Sequence, residues 1–221
     1  MFTLLKNIFS FFFPPSCIIC SEKTDVVNIC NHCHEQLPLT RDFPRPWIFS
    51  LYKYKNKSVN QCIKHIKEYP DLTLIETLIE SKKFMVTGWF TGLARYHQAT
   101  EIVLIPVPIH YSRFINRGFN QSELIAKSLQ KILSQETLTI TINTEIIKKQ
   151  FATEKQALLI HKQERLKNSL TSSFTLNQKN ISPNALLIII DDVTTTGATL
   201  DAVRSHLGIY SPNVYAFTLS H

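Results

Sequence analysis

Residues 185–199 read Ala-Leu-Leu-Ile-Ile-Ile-Asp-Asp-Val-Thr-Thr-Thr-Gly-Ala-Thr. The first six form a continuous apolar run of strand length, the pattern of a strand covered on both faces and so of a parallel sheet. Two carboxylates follow at the carboxyl end, then a threonine-rich turn with one glycine, then helical sequence. Ligands of open parallel sheets bind off the carboxyl ends of strands, so Asp191 and Asp192 stand where a ligand would sit. Thr194, Thr195, Thr196, Gly197, Ala198 and Thr199 bring hydroxyls and backbone amides to a helix N-terminus, a setting that favours a phosphate dianion. The carboxylates repel that phosphate and are therefore expected to face neutral hydroxyls or a magnesium ion. A sugar phosphate meets both requirements. A Walker B strand also ends in an acid, but it needs a G-x-x-x-x-G-K-[ST] loop that this sequence lacks, which disfavours ATP hydrolysis. A strand closed by an Asp-capped turn, with no ligand, would not need both acids and four threonines.

Working outward, Glu101 to Pro108 is a second buried-strand run and Ser122 to Leu133 an apolar-periodic helix. Phe49, Leu51 and Tyr54 suggest a short strand, followed by an amphipathic helix from Ser58 to Tyr69, Pro70, and helical sequence from Asp71 to about His97. Thr139 to Ile147 alternates like a strand, and Val214 to Leu219 reads as the last one. The alternation predicts an α/β domain, a mostly parallel twisted sheet flanked by helices with right-handed crossovers. No internal repeat or low-complexity segment interrupts it.

Four of the five cysteines fall as Cys17-Ile-Ile-Cys20 and Cys30-Asn-His-Cys33. Two C-x-x-C knuckles complete the tetrahedral thiolate shell of structural zinc. Disulfides are the alternative, and a chain with no evident secretory signal favours the metal. His32 and His34 could each substitute as a ligand or face solvent. Cys62 lies among Val59, Ile63 and Ile66 and reads as a core residue. The apolar run Ile8 to Phe13 is too short for a membrane span and meets Pro14-Pro15 at once, so it reads as a short amphipathic helix, not a signal peptide. The sequence Pro-Pro-Ser before Cys17 does not look like a lipobox. The proline-rich, charged stretch Arg41 to Pro46 reads as a linker. The expected organisation is a zinc ribbon with its N-terminal helix over residues 1–46 and the α/β domain over 47–221.

Of the 221 residues 44% are hydrophobic and 19% charged, which excludes wholesale disorder and a membrane-spanning bundle. The chain is expected to be cytoplasmic. A net charge of +7 favours polyanionic partners. Arg113 and Arg117 follow a strand end, stand four residues apart and precede a helix opening near Asn120, so both could reach a pyrophosphate or remain solvated. Gly118 serves the turn, and Gln121 is placed to order it. Tyr52, Lys53, Tyr54, Lys55 and Lys57 interleave rings with cations, as single-stranded nucleic acid binding does, or form a solvated face. Lys64 and Lys67 continue that run. Lys148, Lys149, Lys155, Lys162, Arg165 and Lys167 make a second basic stretch.

The stretch DDVTTTGAT resembles the phosphoribosyl pyrophosphate (PRPP) signature of type I phosphoribosyltransferases. The resemblance implies that Asp191 and Asp192 bind the ribose hydroxyls, that Thr195 to Thr199 cradle the 5′-phosphate, and that magnesium accompanies PRPP. Pro106 to Ala126, PVPIHYSRFINRGFNQSELIA, is similar to the hallmark of the ComF (ComFC) competence proteins, in which a four-cysteine zinc ribbon precedes a phosphoribosyltransferase-like domain. Thr153, Gln156, Arg165, Asn168 and Phe174 also look like that pattern, with Lys148 and Lys149 where arginines are expected nearby. The resemblance implies a natural transformation protein that binds PRPP and handles imported single-stranded DNA, with a ComFA-like helicase and a recombination mediator as partners. An active phosphoribosyltransferase on a nucleobase or nucleic-acid acceptor, and an interaction module with a vestigial PRPP pocket, are the alternatives.

Overall fold

The structure is a computed structural model, and it describes residues 16–24, 28–134, 138–149, 174–176, 182, 184–209 and 211–221. The N-terminal apolar run, Thr153, Gln156, Asn168 and the basic residues Lys155, Lys162, Arg165 and Lys167 lie outside them. The elements are α1 (Asn31–Glu35), β1 (Ile48–Tyr52), α2 (Lys57–Glu68), α3 (Leu72–Glu80), α4 (Lys83–Tyr96), β2 (Glu101–Pro106), α5 (Tyr111–Arg117), α6 (Gln121–Leu133), β3 (Thr139–Ile142), β4 (Ile147–Lys149), β5 (Phe174–Leu176), β6 (Ala185–Val193), α7 (Ala198–Leu207) and β7 (Val214–Ser220). Strands β1, β7, β6, β2 and β3 lie side by side in that order, all parallel, while β4 and β5 form a small antiparallel pair.

The two central strands explain the uninterrupted apolar runs. Along β6, Leu186, Ile188 and Ile190 pack with Ile63 and Ile66 of α2, Leu78 of α3 and Ile125 and Leu129 of α6. Ala185, Leu187 and Ile189 face the opposite layer, with Leu200 and Val203 of α7 and Phe174 of the small hairpin. Ile102 and Leu104 of β2 join the first layer, Val103 and Ile105 the second. A period of two along a strand with helices on both sides leaves no polar position. From β2 the chain crosses outward to β3 through α6; from β6 it crosses the other way to β7 through α7. Right-handed crossovers leaving in opposite directions must lie on opposite faces, and α6 and α7 do. A crevice therefore opens off the carboxyl ends of β2 and β6.

Two expectations are refined. The strand read over Thr139 to Ile147 is broken: Asn143 Oδ1 accepts from the amides of Glu145 and Ile146, both at 3.0 Å, and this side-chain turn sends the chain into β4 of the hairpin. The cysteine segment also packs into the first layer, where Cys17, Ile29, Cys33 and Leu37 are buried beside Cys62. Beyond it, the chain covers the free edge of β1. Thr40 N donates to Leu51 O at 2.9 Å and Lys53 N to Pro38 O at 2.9 Å. No helix among the described residues is long and apolar enough to cross a membrane.

Ile188→Ala is expected to destabilise the protein by about 2–5 kcal/mol, because it opens a cavity in a strand packed on both sides. Tyr52→Phe, which removes a 2.7 Å hydrogen bond to Leu78 O, should cost about 1 kcal/mol. Urea unfolding followed by circular dichroism measures both.

Candidate functional site

β6 extends three residues past its apolar run, with Asp191 paired to Thr218 and Val193 to Ser220 of β7, so both acids belong to the end of the strand. Asp192, buried, turns towards α2, where its Oδ2 pairs with Lys67 Nζ at 3.3 Å, while its Oδ1 accepts from Val193 N at 2.8 Å. Asp191 Oδ1 accepts from Ser122 Oγ at 3.2 Å and from Asp192 N at 2.9 Å. Burial, with the Asp192 charge next, lifts the Asp191 carboxyl to about 7, against the pull of those two donors and Lys67. Lys67 and Ser122 are contributors that the sequence reading missed. Lys67 read as one cation of a basic helix, and only the folded sheet brings it to Asp192.

The threonine segment follows at once. Thr194 is buried, donates its amide to Ser220 O at 3.0 Å and accepts at its carbonyl from His221 Nδ1 at 2.9 Å. Thr195 and Thr196 are exposed, and Thr196 Oγ1 accepts from Ala198 N at 3.4 Å. Gly197 has φ +80°, a left-handed conformation that glycine adopts without strain, and its α-carbon faces Ile48, Pro44 and Arg45. Thr199, half-buried, is in the first turn of α7. Arg45 Nη2 pairs with Asp201 Oδ2 in that turn at 2.8 Å. The loop thus offers exposed hydroxyls and first-turn amides beside the acidic pair, as an anion site requires.

Arg113 and Arg117 lie on the short helix α5, which buries none of its residues and ends at Gly118 with φ +76°. The structure adds a helix where the sequence suggested a loop. Asn120 then opens α6: its Oδ1 accepts from Ser122 N at 3.1 Å, and its Nδ2 donates to Val107 O at 3.1 Å. Gln121 is buried, with no partner for its Oε1 among the described residues. Lys149 links this region to the acids, since burial and then the Arg113 charge lower its pKa while Asp191 raises it. A cavity of about 520 Å³ lies here, lined by residues that include Pro108, Tyr111, Phe114, Asn120, Glu123 and Lys149. It adjoins the acidic pair on the β2 side of the crevice.

The proposed nucleic-acid set needs one correction. Lys53, Lys55 and Lys57 are exposed and Tyr54 is half-buried, but Tyr52 is 1% exposed and its hydroxyl donates to Leu78 O. Burial pushes that phenol up to about 12. As a strand residue facing the core it has no ring face to offer a base.

At the other end of the first layer, the thiols of Cys17, Cys20, Cys30 and Cys33 lie within 4.8 Å of one another, with Cys20 and Cys30 Sγ 3.7 Å apart. A tetrahedron with Zn–S bonds of about 2.3 Å has edges of about 3.8 Å, so the four thiols fit a closed structural zinc shell. Burial opposes ionisation of Cys17, but the amides of Cys20, Cys30 and Ile19 outweigh it and bring the thiol down to about 6. Burial raises Cys33 instead, and the neighbouring sulfurs add to the effect. His32 is exposed and His34 half-buried, both outside the cluster. Burial pushes Cys62 up to about 12, consistent with an inert core thiol.

No family model matches the chain. It is 26% identical to Competence protein F of Haemophilus influenzae over 92% of this chain and 93% of that one. It is also 28% identical to Competence protein ComFC of Bacillus subtilis over 83% of this chain and 68% of that one. The chain is thus similar to two competence proteins over most of its length.

Two measurements check the site. Cys33→Ala should lose bound zinc by metal analysis and free the remaining thiols to titration with Ellman's reagent. For Asp191, the folded protein holds the proton up to about pH 7 whereas the unfolded chain releases it near 3.8, so the native state binds more protons between those values. Stability from this group is present below about pH 4 and lost as pH rises towards 7. Asp191→Asn should remove that loss, gaining roughly 1–3 kcal/mol over wild type at pH 7.5 relative to pH 4.

Proposed function

We propose that this chain acts in competence, the uptake of DNA in natural transformation, binding PRPP with magnesium at the β2–β6 crevice and handling single-stranded DNA. One observation supports the reading above others: a carboxylate pair and a hydroxyl-lined helix N-terminus sit side by side where two crossovers diverge. In this assignment Asp191 and Asp192 accept from the ribose hydroxyls. Thr194, Thr195, Thr196, Gly197, Ala198 and Thr199 surround the 5′-phosphate with donors. Arg113 and Arg117 are the cations for the pyrophosphate, whose charge magnesium would share. The raised Asp191 pKa suits a neutral, hydroxyl-rich guest, and an approaching cation would drive its proton off. The names of the two relatives support the competence role.

A transferase reading is favoured by one further feature, the cavity of about 520 Å³ beside Asp191, which has room for an acceptor next to the ribose. Bond cleavage at the sugar would then rest on electrostatic stabilisation of an oxocarbenium-like centre.

Titration calorimetry tests the binding claim. Wild type should bind PRPP only with magnesium present, and Asp191→Asn/Asp192→Asn, checked for folding by circular dichroism, should bind at least tenfold more weakly. Absence of wild-type binding overturns the assignment. Pyrophosphate release with candidate nucleobases separates the transferase from a binding protein.

A further inference from the structure

Helix α5 presents an unusual surface for a soluble protein. None of its residues is buried, yet it carries Tyr111, Phe114 and Ile115 at 57%, 45% and 61% exposure. Phe114 and Ile115, large apolar side chains exposed on one short helix, mark a contact surface. Tyr111 and Phe114 line the cavity of about 520 Å³ together with Ile147, Lys148 and Lys149 of β4.

The charge around that cavity indicates what fits it. Lys148 and Lys149 in its wall, with Arg113 and Arg117 on α5, stand against Glu123, Glu145 and Asp191. Glu145 pairs with Lys148 at 2.8 Å, but both side chains are about half exposed, and such a pair is weak enough for a stronger anion to replace. Glu123 accepts from Asn120 Nδ2 at 3.4 Å. Lys149, half-buried, is held down first by burial and then by the charge of the exposed Arg113. Cations next to exposed rings suit a ligand that alternates flat apolar groups with anions. The Lys53–Lys57 stretch lacks this combination, because Tyr52 is in the core and Tyr54 packs against it.

We propose that the cavity between α5 and β4 receives a base of single-stranded nucleic acid, stacked on Phe114, with the flanking phosphates held by Lys148 and Lys149. This rests on the reading that the chain handles single-stranded DNA, and it gives that partner a place beside the PRPP site. The strand would cross the crevice mouth on the β2 side, within reach of the sugar but without competing for the threonine loop.

Fluorescence anisotropy with a 5′-labelled oligothymidylate tests it on the full chain. Phe114→Ala should weaken binding by about tenfold, the loss of one stacked base, and Phe114→Trp should restore it. Lys148→Glu/Lys149→Glu should weaken binding and reduce the log–log salt slope by about one to two. Lys53→Glu/Lys55→Glu/Lys57→Glu should stay within about threefold of wild type. Because all the substituted side chains are at least partly exposed, thermal melts should show every variant folded. If the Lys53 triple variant loses binding while Phe114→Ala does not, the cavity assignment is overturned and DNA binding itself stands. If wild type fails to bind, the DNA reading falls and the inference with it.

Discussion

Everything in this molecule is arranged around two adjacent strands that are buried on both faces. Beyond Glu101, β2 and β6 carry apolar side chains at every position over their shared length, so helices must cover both sides and the chain must cross over them in opposite senses. The hydrophobic layers supply the stability, and the divergence of crossovers supplies the opening. The candidate site therefore begins where apolar sequence ends: the first polar residues after Ile190 are the two acids, and those near the end of β2 lead to α5 and Asn120.

The site holds a deliberate imbalance. Two ionised carboxylates in succession repel, and the Asp192 charge adds to burial in keeping the proton on Asp191. Asp192 takes a lysine and a backbone amide; Asp191 takes a serine hydroxyl and the amide of its own neighbour, and retains its proton to near neutrality. The second oxygen of Asp191 has no protein donor among the bonds described. Preorganised groups of this kind need little rearrangement when a ligand arrives.

Much of this architecture was legible in the sequence because it is local. A six-residue apolar run ending in two acids can be read without knowing any contact, and the Cys-x-x-Cys pairs encode their own convergence. The amphipathic helix over 58–69 was placed within a residue or so of α2, which starts after the Asn56 cap. What escaped depended on distant residues or on one turn. Lys67 meets Asp192 only through the packing of α2 on the sheet. The break after Ile142 turns on Asn143, whose side chain can replace a strand pairing with a turn, and alternation alone conceals that choice. Tyr52 and Tyr54 carry the same ring in the same phase of the strand, yet β1 ends between them, so one is interior and the other at the boundary. Arg113 and Arg117 were found, but not the helix that carries them, because its seven residues bury nothing and show no apolar period.

The pairing of residues 38–40 with β1 has a practical side for anyone wishing to excise the sheet domain. A cut after residue 46, where the composition changes, would strip that cover away and leave an outer strand with unsatisfied amides and carbonyls, a ready template for self-association. It would also remove Pro44 and Arg45 from beneath Gly197, and with them the partner of Asp201. A fragment made that way would report on a damaged loop, and its silence towards any ligand would mean nothing about the intact chain.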